Sequence, residues 1–126
     1  MTNKVNLTPE LTQEEIVNYE EKSKEIANKR GFSKVHPVVQ IDPETLERKV
    51  CYLSEPNYFT KLALMDKAVQ LGPYIAGEEM RNVCIIKEES DLITYGDAPE
   101  CDSYKMGVVD YCLTMVSRIQ NQFKKK

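Results

Sequence analysis

Val35-His36-Pro37-Val38-Val39-Gln40-Ile41 is followed by Asp42-Pro43-Glu44-Thr45 and then by Arg48-Lys49-Val50-Cys51-Tyr52-Leu53. Val35, Val38, Val39 and Ile41 make a β-branched run. In the second segment Val50 and Tyr52 alternate with Lys49 and Cys51, the two-residue period of a strand. Asp, Pro and Thr between the two runs supply turn chemistry. The stretch reads as a β-hairpin. Pro37 has no N–H to give to a ladder, which marks the first strand as an edge. His36, beside it, is expected to face solvent.

Upstream, Thr12 and Glu15 fit a capping box, in which each side chain satisfies the other residue's backbone donor. Helix-forming residues run from there to Arg30, and Gly31 stands where a left-handed C-terminal residue belongs. Glu20 with Lys24 and Glu25 with Lys29 are favourably oriented pairs four apart. Ile16, Tyr19 and Ile26 make only a narrow apolar stripe. This helix is expected to be weakly anchored and largely exposed, behind a flexible lead over residues 1–11.

Downstream, Ser54-Glu55-Pro56-Asn57 breaks the strand and offers Asn57 as an N-cap. Tyr58, Leu62, Met65 and Val69 recur at helical spacing, and Phe59, Ala63, Leu64, Ala68 and Leu71 widen the apolar face. That breadth predicts the main core helix. Gly72-Pro73 ends it. A shorter helix from about Ile75 to Cys84 should carry Met80, Val83 and Cys84 inward. Residues 85–94 fit neither pattern, and Gly96-Asp97-Ala98-Pro99 reads as a loop. From about Asp102 a last helix places Tyr104, Val108, Tyr111, Cys112, Met115, Ile119 and Phe123 on one face. Gly107 weakens that helix by about 1 kcal/mol relative to Ala and offers a site of close helix contact. The fold class is α+β: an N-terminal helix, a β-hairpin, then a mainly helical C-terminal bundle of three helices. One domain covers residues 12–123, followed by a basic tail at 124–126.

Composition narrows the function classes. The net charge is −3, from 17 basic and 20 acidic residues, the wrong sign for a domain built to neutralise phosphates, so no nucleic acid is expected as a partner. Eight acids against Arg81 and Lys87 between residues 78 and 102 form a solvated loop region or a face that steers a basic partner. No apolar run approaches the ~20 residues needed to cross a bilayer. The polar residues 1–9 contain no signal-peptide core. Four cysteines without a Cys-x-x-Cys pair fit free thiols in a reducing cytoplasm. The chain is expected to be cytoplasmic and off the membrane.

Chemistry finds few parts. His36 is the single histidine, so a Cys–His device would have to use it with one of the four scattered cysteines. Zinc needs four N or S ligands, usually paired at short spacing, and no Ca²⁺-loop order or glycine-rich phosphate cradle is present. Carboxylate pairs such as Glu78-Glu79 and Glu88-Glu89 have solvent exposure as their ordinary explanation. The expectation is a protein that is not an enzyme and has no catalytic, metal or cofactor site.

Apolar surface is what remains. The last helix carries Val109, Leu113 and Val116 beyond its main stripe, more than one packing face requires. Either this helix is sandwiched in the core or its second face serves a partner, by helix-in-groove contact or self-association. The candidate partner-binding residues are Val109, Leu113 and Val116, with Ile16, Tyr19 and Ile26 on the first helix.

The order Lys49-Val50-Cys51-Tyr52-Leu53-Ser54-Glu55-Pro56-Asn57, then Pro73-Tyr74-Ile75-Ala76-Gly77-Glu78, then Cys84 resembles small tail assembly chaperones of phages and prophages from gut bacteria. The likeness covers residues 12–123 by order of elements and a few short words. It departs after Cys84, where Ile85-Ile86-Lys87-Glu88-Glu89 stands in place of the family's Trp and Gly-Gly-Asp. The resemblance implies a non-enzymatic assembly factor that binds the tape-measure protein and keeps its apolar helix soluble. Other phage structural or assembly proteins are then the partners, in the cytoplasm of the bacterial host cell. The alternative is a minor structural protein of head or tail, retained in the virion.

Overall fold

The computed structural model describes residues 7–116 and Phe123. Helix α1 spans Gln13–Arg30, strand β1 Val35–Ile41, strand β2 Arg48–Ser54, helix α2 Tyr58–Leu71, helix α3 Pro73–Cys84 and helix α4 Asp102–Thr114. Three short 3₁₀ turns, Lys87–Glu89, Leu92–Thr94 and Pro99–Cys101, lie between α3 and α4. The chain is mixed α+β and mostly helical, with the expected order of elements.

Local signals set the element ends. Thr12 caps α1 through Glu15, and the Glu15 carboxylate returns to the Thr12 N–H at 2.9 Å. Gly31 closes the helix in the left-handed region at φ 75°. In the hairpin turn, Asp42 Oδ1 accepts the N–H groups of Glu44 and Thr45. Asn57 caps α2 through the Thr60 N–H at 2.8 Å.

The two strands pair antiparallel, with Val38 opposite Cys51 and Pro37 opposite Tyr52. The outer margin of β2 is closed by the segment after α3. Asp91 Oδ2 accepts the Val50 N–H, Ser90 Oγ accepts the Tyr52 N–H, and the Ile86 and Asp91 N–H groups donate to the Tyr52 and Val50 carbonyls. Residues 50 and 52 thus turn their backbone groups away from β1. By the register, Pro37 then lies on the free margin of β1, where its missing N–H costs no ladder bond.

The hairpin sits between two separate apolar clusters. On one face α1 packs through Ile26 and Ala27 against Val35, Tyr52 and Ile86. Ile26 is only 1% exposed, a burial that contributes roughly 2 kcal/mol. The cations Lys22, Lys29 and Arg30 of α1 converge on Glu89, so part of the acidic stretch is neutralised within the chain. On the other face Val38, Cys51 and Leu53 meet Leu64, Ala76, Met80, Cys84, Val108, Cys112 and Met115. Helix α2 packs on α3, and α3 on α4.

Two expectations are revised. Helix α2 is not the main core helix: Leu64 is its only buried residue, while Tyr58, Phe59 and Val69 stand in solvent. The core role falls to α3 and α4, which cover the hairpin directly. Val83 points outward, because the inward stripe of α3 runs through Ala76, Met80 and Cys84. The last helix is described only to Thr114. Ile119 and residues 124–126 lie outside the described residues, as do residues 1–6 of the lead.

Arg81 is a buried charge of this core. Its guanidinium binds both Glu78 carboxylate oxygens, at 2.8 and 2.6 Å. That fork holds the Glu78 carboxyl below its ordinary range and raises Arg81.

Candidate protein-interaction site

Helices α2, α3 and α4 leave an open groove of about 180 Å³. Leu64, Met65 and Ala68 of α2 form one wall, and Ala76, Gly77 and Met80 of α3 form the floor. Cys112 and Leu113 of α4, with Val116 just beyond it, form the other wall. The space exists because small residues stand where the helices approach: Ala68, Ala76 and Gly77 fill little volume. Its size resembles the ~150 Å³ cavities that accept a benzene ring, so one large apolar side chain fits. Met65 and Met80 are unbranched and polarizable, and can repack around what enters.

A polar chain ties the first turn of α2 to β1 and α4. Lys61 Nζ pairs with Glu55 Oε2. Glu55 Oε1 lies 2.5 Å from His36 Nε2, and His36 Nδ1 lies 2.8 Å from the Tyr111 hydroxyl. One ring nitrogen thus faces the carboxylate and the other the phenol. Burial pushes the Glu55 carboxyl up, but its bonds to Lys61 and His36 and their charge outweigh burial and leave it lowered. His36 therefore does not face solvent: its side chain is 11% exposed, because Tyr111 and Glu55 close over it.

The arrangement holds little reactivity. Both ring nitrogens of His36 are engaged, and burial pushes the thiols of Cys51 and Cys112 up to about 12 and of Cys84 to about 11. Such thiols are protonated at neutral pH and weak as nucleophiles. Among the described residues no three His, Cys, Asp or Glu side chains come together as metal ligands. Among them, too, no helix is long and apolar enough to cross a membrane.

The six candidate partner-binding residues divide. Leu113 and Val116 are half-buried and line the groove. Val109, 8% exposed, packs on Gly77 at the α3–α4 crossing and belongs to the interior. Ile26 is likewise an interior residue, the anchor of α1. Ile16 is exposed and Tyr19 half-buried on α1, which packs on the opposite face of the hairpin from the groove. The two sets are therefore not brought together. The sequence reading missed the α2 and α3 walls. Their available signal was the small-residue set Ala68, Ala76 and Gly77 beside Met65 and Met80.

Compared with known proteins, the chain matches no family model, no curated protein and no solved structure.

Proposed function

We propose that this chain is a non-enzymatic protein-binding factor that takes a large apolar side chain of a partner helix into the groove between α2, α3 and α4. The observation that carries this reading is the groove itself, walled by Met65, Leu113 and Val116 and open to solvent. Soluble chains rarely leave apolar clefts unfilled without a use for them. Inserting an anchor side chain into such a pocket is the usual energetic centre of a helix-in-groove contact. The protonated thiols and the fully engaged His36 support a role without catalysis.

The resemblance in motif order gives the finer reading: a phage tail assembly chaperone whose partner is the apolar helix of the tape-measure protein, acting in the host cytoplasm. Co-expression with that protein is the test. The wild type should keep it soluble and co-purify with it, and Leu113→Asp should lose both while keeping its own helical circular dichroism. Equal solubility of the tape-measure protein with and without the chain rejects the chaperone reading. Retention of the chain in purified particles would favour a minor virion component instead.

A further inference from the structure

The outward side of the α2–α3 pair carries a second apolar surface, which shares no residue with the groove. Phe59, Ala63, Lys67 and Leu71 follow one another at i+4 spacing on α2, as do Ile75, Glu79 and Val83 on α3. Residues four apart form a ridge on one helix face. Lys67 Nζ meets Glu79 Oε2 at 2.6 Å and locks the two ridges side by side. Phe59 is 77% exposed, Val83 61%, Leu71 59% and Ile75 55%.

The pattern along this face is informative. One cation and one anion occupy its middle, and large apolar residues flank them: Phe59 and Val83 towards one end, Leu71 and Ile75 towards the other. Both charges remain partly exposed, at 34% for the Lys67 side chain and 45% for Glu79. A basic partner would press a like charge against Lys67, and an acidic partner against Glu79. A surface with equal and opposite charges at its centre is complementary to itself. A two-fold axis through the middle of the pair sets Lys67 of each copy against Glu79 of the other, and apolar end against apolar end.

We propose that the α2–α3 face binds a second copy of this chain, forming an antiparallel four-helix arrangement around the paired Lys67 and Glu79 side chains. The 14 residues of α2 make a helix about 21 Å long, and neighbouring helices lie about 8–10 Å apart. The face is therefore small, at the lower end of what specific interfaces bury. The dimer should dissociate on dilution. The groove stays open on each copy, so the inference does not depend on what the groove binds.

Sedimentation of the full chain over a concentration series tests this. The wild type should approach twice 14.5 kDa as concentration rises. Val83→Asp and Ile75→Asp should sediment as monomers with unchanged circular dichroism, because both positions are exposed in the monomer. Lys67→Glu and Glu79→Lys should each be monomeric alone and form a dimer when mixed, since the mixture restores two opposite-charge contacts. The mixing result separates lost association from lost folding. A wild type that stays monomeric at its highest soluble concentration overturns the proposal. So does a dimer that all four variants leave intact, or a charge-reversed mixture that stays monomeric.

Discussion

Gly77 lies directly beneath Val109: a Cβ built on Gly77 would stand 2.8 Å from Val109 Cγ1 and 3.2 Å from the Val109 carbonyl oxygen. The glycine lets α3 and α4 cross closely and draws Leu113 over the end of the groove. Gly77→Ala should cost up to about 2 kcal/mol, because overpacking of about 1–3 kcal/mol is offset by a helix-propensity gain of about 1 kcal/mol. Urea unfolding measures it, and Val109→Ala in the same chain should recover part of the loss.

Gly107 makes the opposite case. A Cβ there would fall 2.2 Å from Gln40 Nε2, the far end of a flexible side chain. Gln40 would swing away and lose its 3.0 Å bond to the Tyr104 carbonyl. Gly107→Ala alone should therefore change stability little. In a Gln40→Ala background the same substitution should stabilise by about 1 kcal/mol. A double-mutant cycle in urea reads the difference.

Glu55 makes the fold acid-sensitive. Its carboxyl lies below the ordinary value of 4.5 in the folded chain, so the unfolded chain takes up the proton first as pH falls. The stabilisation is fully present above about 4.5 and disappears as pH drops through the lowered folded value. Glu55→Gln should flatten the fall of unfolding free energy below about pH 4.5. Glu15 and Glu78, also lowered, should keep part of the slope.

Asp91 holds the margin of β2 by accepting the Val50 N–H at 2.8 Å. Asp91→Ala frees that amide. Its hydrogen exchange should accelerate by roughly tenfold, whereas the Cys51 amide, inside the hairpin, should keep its rate. Equal acceleration at both amides would mean that the whole hairpin had loosened.

The four cysteines are free and buried. Iodoacetamide at neutral pH should leave them unmodified in the folded chain and alkylate all four in urea. Rapid labelling of Cys51 or Cys112 without denaturant would contradict the raised thiols.

What could be read from the sequence was what is decided locally. The Thr12–Glu15 box, Gly31, the Asp42 turn and the Asn57 cap each involve residues within five positions, and each falls where expected. The period of Val50 and Tyr52 likewise fixed a strand. The errors have one physical source: periodicity reports that a helix has an apolar face, not whether another element covers it. Helix α2 has that face without the cover. His36 was misplaced for a related reason, since its partners Glu55 and Tyr111 lie 19 and 75 positions away. Two of the three residues on the α4 side of the groove, Leu113 and Val116, were legible as partner-facing. The α2 and α3 walls were not, because they depend on how closely three helices approach.

The cluster beneath α1 shares no member with the one beneath α3 and α4. Among the described residues, five buried ones make up the first and ten the second. The outer leaf is anchored by Ile26 and Ala27 and clasped at Glu89 by three cations. Salt weakens the lysine part of that clasp, because Lys22 and Lys29 stand in solvent and charges there are screened within about 10 Å at 0.1 M. Raising ionic strength should therefore speed amide exchange in α1 more than in α3 and α4.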